Sequence, residues 1–325
     1  MLYFIFKFAF LLSLCGQLQA TIRFLTFHIN KPEFIELQYK TFKKFVHNDH
    51  EFIIINDART KEMELAIQQM CKKYNITCVR YEQEWHLTDP ITDRMLEIFP
   101  LVDHSFRPED INMAIRTAVG NQPSVRHSHV IQYALDHYGY AHDDLVVILD
   151  GDFFPIRPTD IRLLMEGNHI AGPYRNFPKK NIGYFWVPFI AMNMPFLPNK
   201  SDLKFHVDVA NSMLLDTGGH SYYYLKNNPD VTTKKYDYLS SVVCRNTPES
   251  YLKTIGFTDK EIAFSKSLPD QIGSEVEFHL NHQFLHYGAS SYRENDEKLR
   301  LVMNFLKKLL HDRPHENISD MQSRR

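Results

Sequence analysis

The sequence predicts an α/β fold built on a mixed, mostly parallel central sheet flanked by helices, and three observations carry that expectation. Short apolar, β-rich runs alternate with longer amphipathic ones from Thr21 onward, as βαβ units require. The run Leu145-Val146-Val147-Ile148-Leu149 contains no polar residue, which suits a strand buried on both faces. With 44% hydrophobic and 23% charged residues over 325 positions, the chain can bury a sizeable core.

The elements follow in order. Residues 22–27 read as a first strand. Residues 32–46 space Phe34, Leu37, Phe42 and Phe45 near a helical period and predict a helix. Residues 52–55 form a short buried strand stopped by Asn56-Asp57; 61–74 read as a second helix and 77–81 as a third strand. A less regular stretch, 82–123, precedes a helical pattern over 124–138. Asp143-Asp144 then leads into the Leu145 strand, which ends in Asp150-Gly151-Asp152. Beyond it, Gly172-Pro173-Tyr174, Tyr184-Phe185-Trp186-Val187-Pro188 and Asp216-Thr217-Gly218-Gly219-His220 break the alternation with turn residues and aromatics. An irregular half with short, mixed strands is expected there. Residues 303–310 predict a terminal helix and 312–325 a flexible tail. No repeat or linker divides 21–311, so one domain is expected.

The first twenty residues differ from the rest. Their apolar run from Phe8 to Cys15 has the length of a signal-peptide core, roughly 7–15 residues, and falls short of the ~20 that span a bilayer. Residues 1–20 are therefore expected to be a signal peptide or a short signal anchor, with the protein in the secretory lumen or cell envelope and a possible membrane association through this end. Cys71, Cys78 and Cys244 show no close metal spacing and are expected to be thiols. Thirty-seven Lys and Arg against 39 Asp and Glu give a net charge of -2, too balanced for a protein that binds nucleic acid through its phosphates.

Ligands of open α/β sheets sit beyond the carboxyl ends of the strands, where Asp150 and Asp152 fall. Two carboxylates side by side repel unless a hard divalent cation, magnesium or manganese, lies between them. An ordinary Asp-Gly-Asp turn capping a strand is the plainer alternative.

Leu145-Val-Val-Ile-Leu-Asp-Gly-Asp-Phe-Phe-Pro-Ile-Arg-Pro158 resembles the hydrophobic strand, DxD motif and following segment of GT-A type glycosyltransferases. That resemblance implies a GT-A-like, Rossmann-like fold and transfer of a sugar from a UDP- or GDP-sugar to a hydroxyl on a glycan, lipid or protein. It implies Mn2+ or Mg2+ held by Asp150 and Asp152, acting as Lewis acid toward the diphosphate, with Asp150 also beside the nucleotide-sugar. His286, in Phe284-Leu285-His286-Tyr287-Gly288, becomes the third ligand ahead of His279 and His282. Arg126 and His127, at a helix start, would face the diphosphate, and Asp57 the nucleoside. Asp216 is the candidate base toward the acceptor hydroxyl, with Asp270 a second carboxylate. Trp186, Tyr174 and Tyr222-Tyr223-Tyr224 offer faces for sugars. Two other readings are a haloacid dehalogenase-like phosphohydrolase and a non-catalytic carbohydrate-binding protein. The phosphohydrolase expects Thr or Val where Phe154 stands and its motif near the domain start.

Overall fold

The structure, a computed structural model, describes residues 21–82, 123–211, 213–273, 275–288 and 295–312. The expected signal segment 1–20, most of the irregular stretch (83–122) and the tail beyond Asp312 lie outside the described residues. Among the described residues no helix is long and apolar enough to cross a membrane.

Strands β1 (Ile22–His28), β2 (His50–Asn56) and β3 (Thr77–Arg80) alternate with helices α1 (Glu33–Phe45) and α2 (Lys61–Tyr74). Helix α1 forms because Phe34, Leu37, Phe42 and Phe45 share a buried face, while acids in its first turn and lysines in its last suit the helix dipole. Helix α2 is capped by the Thr60 side chain, which accepts from the Met63 amide, and it ends at left-handed Asn75. Strand β1 lies between β2 and β4 (Leu145–Asp150), parallel to both. Helix α3 (Pro123–Ala134) continues into a π turn, Leu135–Gly139, and buries Val130, Ile131, Ala134 and Leu135 against this part of the sheet.

The half after β4 is more regular than the sequence predicts. Strands β6 (Ile170–Phe177), β8 (Phe189–Asn193) and β11 (Thr233–Tyr236) extend the central sheet, giving the order β3-β2-β1-β4-β8-β6-β11. Only β8 runs against the rest of that order, so the sheet is mixed and mostly parallel, as expected. Gly172-Pro173 is not the turn its composition predicts. A Cβ at Gly172 would lie 2.6 Å from the Phe189 carbonyl oxygen, so glycine here lets β8 pass close to β6. The irregular features survive at the margin: β7 (Ile182–Phe185) pairs with β6, and β9 (Asp208–Ala210) with β10 (Met213–Leu215).

A second sheet starts directly after Asp152. Its order is β12-β13-β14-β5, from β12 (Tyr238–Ser240), β13 (Glu277–His279), β14 (Phe284–His286) and β5 (Phe153–Pro155), all neighbours antiparallel. One face of it joins a core of Phe154, Phe278, Leu285 and Tyr287 with Phe34 of α1 and Val302 and Leu306 of the terminal helix, Asp296–His311. That helix begins earlier than its apolar pattern predicts because the Asn295 side chain caps it, accepting from the Lys298 amide. Lys298 is buried; its Nζ donates to Glu275 (2.8 Å) and to the Gly288 carbonyl (2.6 Å) and lies 4.1 Å from the Tyr287 ring centre. The terminal helix is thereby tied to the segment following β14. Cys71 and Cys244 are buried and Cys78 partly so, all as free thiols.

Replacing Lys298 by Met leaves Glu275 and the Gly288 carbonyl without their buried partner. The expected loss is roughly 3 kcal/mol of unfolding free energy, measured by urea denaturation; a variant within 0.5 kcal/mol of the parent would show the tie to be dispensable.

Candidate functional site

Asp150 is the last residue of β4, and the turn after it is fixed from three sides. Phe27 of β1 pairs with Asp150, and a Cβ on Gly151 would come within 2.3 Å of the Phe27 carbonyl oxygen. Gly151 is therefore required by the close passage of β1, not by a positive φ. Gln38, buried on α1, donates from Nε2 to the carbonyls of Asp150 (2.7 Å) and Phe153 (3.1 Å). Its Oε1 accepts from the Thr26 hydroxyl and the His28 Nε2–H, both at 3.1 Å. On the far side the Tyr287 amide donates to the Asp152 carbonyl at 2.9 Å, so β14 is stitched to the same turn.

This stitching brings His286 to the aspartates. Its Nε2 lies 3.3 Å from Asp152 Oδ1 and 3.8 Å from Asp150 Oδ2. One ligand atom from each of the three residues lies within 4.8 Å of the others. His127, near the start of α3, also reaches the pair, with Nε2 3.1 Å from Asp150 Oδ1. Behind His286, Glu277 Oε2 accepts from His286 Nδ1 and from His279 Nε2, each at 3.0 Å. Burial lowers the affinity of His286 for a proton, but Asp152 and Glu277 outweigh it and lift the group to about 10. Burial also opposes the charge on Glu277, yet hydrogen bonds from His279 and His286 hold it down to about 2. His127 is raised for a similar reason: burial disfavours its charge, and Asp150 with other nearby aspartates overrides that.

His127, Asp150, Asp152 and His286 line a cleft of about 210 Å3 together with Asp57, Arg126, Trp186 and Asp216. Of the residues expected from the sequence, Asp57, Arg126, His127, Asp150, Asp152, Asp216 and His286 gather here. Asp57 and Arg126 meet each other: the guanidinium donates from Nε (2.8 Å) and Nη2 (2.6 Å) to the carboxylate and from Nη2 to the Asp57 carbonyl (2.9 Å). Asp216 is paired through Oδ2 with Arg175 at 3.0 Å, while Oδ1 accepts from the Thr217 amide at 2.8 Å. Asp270 is not brought to the cleft: it is 79% exposed and pairs with Arg245. His279 sits behind His286, and His282 stacks on Phe257 away from the cluster. Trp186 lines the cleft with the Arg175 guanidinium 4.2 Å from its ring centre, whereas Tyr224 is buried with its hydroxyl bonded to the Pro198 carbonyl.

Sequence reasoning missed three of these groups. Arg175 gave no local signal. Glu277 stands two residues before His279 in a strand, so both side chains share one face, and that alternation was a readable sign. Gln38 was readable as the lone amide among the buried positions of α1.

No protein-family model matches the chain, and no curated protein does. Solved structures show a distant likeness. A mannosyltransferase, PcManGT from Pyrobaculum calidifontis, determined with GDP-Man and Mn2+, is 10% identical, with a TM-score of 0.36 over 71% of this chain and 61% of that one. The glycosyltransferase GlyE of Streptococcus pneumoniae is 11% identical, with a TM-score of 0.37 over 90% and 62%. The mannosyltransferase Ktr4p of S. cerevisiae is 11% identical, with a TM-score of 0.33 over 55% and 57%. The chain thus spans about three fifths of the length of these structures.

Burial pushes His28 from 6.5 down to about 4, against smaller opposing effects of Gln38 and Asp152. Above pH 6.5 neither folded nor unfolded His28 carries the proton. As pH falls toward 4 the unfolded chain takes it up first, so stability is lost across that window, by up to about 3 kcal/mol. Chemical denaturation at pH 7.0, 5.5 and 4.5 should show this decline, and His28→Asn should show a shallower one. Parallel curves for the two proteins would remove His28 as the cause.

Proposed function

We propose that this protein is a divalent-cation-dependent glycosyltransferase of the GT-A type, which moves a sugar from a nucleotide-sugar to a hydroxyl acceptor. The observation that supports this reading most is the meeting of Asp150, Asp152 and His286 beyond the carboxyl end of a central parallel strand, where they line an open cleft. Two hard carboxylate donors and one imidazole suit Mn2+ or Mg2+. Such an ion, when bound, neutralises charge on a nucleoside-diphosphate leaving group.

The chain's own residues divide the remaining work. Asp150, Asp152 and His286 would hold the cation. His127 and Arg126 open α3, whose first-turn amides and dipole favour an anion, and both belong to the phosphate side. Because both carboxylate oxygens of Asp57 are bonded to Arg126, Asp57 serves the donor by fixing that guanidinium. Asp216, steadied by Arg175 and Thr217, is the base candidate toward the acceptor hydroxyl. It lines the cleft while Asp270 does not. Trp186 supplies an apolar face beside His286, at 5.8 Å between ring centres, where a sugar ring can stack.

The expected donors are UDP- or GDP-sugars, and the acceptor is a carbohydrate-bearing or other hydroxyl compound. The apolar residues 1–20 favour the secretory lumen or cell envelope, with the protein released or held at the membrane through that segment.

Thermal unfolding in the presence of UDP- and GDP-sugars, with and without Mn2+, tests the proposal. One donor class should stabilise the protein only when Mn2+ is present, by about 2.7 kcal/mol at a hundredfold excess over Kd. Asp152→Asn should abolish the Mn2+-dependent part and reduce sugar transfer or donor hydrolysis at least a hundredfold. Equal stabilisation without cation, or full turnover by Asp152→Asn, would refute the reading.

A further inference from the structure

Glu277 is a half-buried carboxylate that does not line the cleft, since it stands on the side of His286 away from Asp150 and Asp152. Its position is set by strand register: Glu277 of β13 is directly opposite His286 of β14, and His286 is in turn opposite Phe153 of β5, the residue after Asp152. The imidazole is held between these two strands, 7% exposed, with Glu277 at 14%. A carboxylate only accepts, so the 3.0 Å contact from His286 Nδ1 to Glu277 Oε2 is a donation by Nδ1–H. The other ring nitrogen, Nε2, is then the one facing Asp152 at 3.3 Å and Asp150 at 3.8 Å.

We propose that Glu277 is a positioning residue for cation binding: it fixes the ring and the Nδ1–H tautomer of His286, so that Nε2 presents its lone pair where the two aspartates converge. This inference rests on the cation site proposed above and adds to it the residue that orients the imidazole. A neutral histidine has one N–H. Without an acceptor behind Nδ1, the proton is free to settle on Nε2, where Asp152 accepts it, and a nitrogen so occupied cannot bind a metal. The ring could also swing, since Trp186 and Phe153 contact it only through edge or tilted packing at 5.8 and 5.7 Å between centres. Carboxylates that hold the second nitrogen of a metal-binding histidine typically change affinity by 10- to 100-fold.

His279 strengthens the device. Its Nε2 donates to the same Glu277 oxygen at 3.0 Å, and its ring is fully buried between Phe153 and Tyr238, with centres 5.2 and 5.1 Å away. Glu277 is therefore pinned from behind by a residue that cannot rotate into the cleft, and its carboxylate stays aimed at His286.

The test is Mn2+ titration followed by electron spin-echo spectroscopy of the bound ion on the wild type and the variants Asp152→Asn, His286→Ala, Glu277→Gln and Glu277→Asp. The wild type should bind Mn2+ and show a directly coordinated 14N, which His286→Ala abolishes. Glu277→Gln should bind roughly 10- to 100-fold more weakly with a diminished 14N signal, although its metal-free melting curve stays cooperative. Glu277→Asp keeps the charge beside His279 with a shorter reach and should be intermediate; it decides the matter if the Gln variant does not fold. Wild-type affinity and an unchanged 14N signal in a folded Glu277 variant would overturn the role of Glu277. If the wild type takes up no Mn2+, or Asp152→Asn takes it up equally well, the cation site itself falls, a result distinct from failure of Glu277 alone.

Discussion

One buried amide holds the site together. Gln38 spends two donors on the carbonyls either side of the Gly151 turn and both acceptor directions on Thr26 and His28, joining α1, β1 and the end of β4. An amide placed this way satisfies every partner it meets, which is what permits a polar group there at all. The same junction leaves no room for a side chain at position 151, because the β1 backbone runs past it. Aspartates on a flexible turn would splay apart under their own repulsion. Here the backbone beneath them is fixed before any ligand arrives, and the cost of gathering like charges is borne by folding.

The charge arrangement follows from that rigidity. Asp150, Asp152 and Glu277 surround one imidazole, and a second, His127, flanks Asp150. The proton affinity of His286 rises because the carboxylates on both sides outweigh its burial. The cluster is thus a place where positive charge is strongly favoured, whether carried as a proton or as a metal ion. Arg126 makes no such contact with the aspartates of the turn; its fork is taken by Asp57, which draws α3 against the end of β2.

Much of this was legible in the sequence, and the reasons differ by residue. Leu145 to Leu149 could only be a strand buried on both faces, so the place of Asp150 and Asp152 at its carboxyl end followed directly. Helix α1 announced itself through its apolar spacing and α2 through the alternation of strand and helix, while the caps Thr60 and Asn75 emerged only in the structure. The strands after Asp152 did not, because Gly172-Pro173 has the composition of a turn while serving the close packing of β6 on β8. Long-range pairing was equally hidden. Nothing local distinguishes Asp216, which reaches the cleft, from Asp270, which faces solvent beside Arg245. His286 was singled out among 17 histidines by resemblance, whereas the alternation Glu277-x-His279 hints at a shared face and only the register of β13 on β14 shows that it meets His286.

The tie between Lys298 and the segment after β14 bears on the order in which the site comes into being during synthesis. The aspartates leave the ribosome well before His286, and the strand that carries His286 gains its lysine anchor only when position 298 has followed. Until then a nascent chain offers a cation two carboxylates on an incompletely supported turn, which is a weak and unselective ligand set. The three side chains of the proposed cation site are therefore all supported only once the segment through Lys298 has been made. A chain stalled or cut ahead of that point would retain Asp150-Gly151-Asp152 yet lack the strand that brings His286 to them.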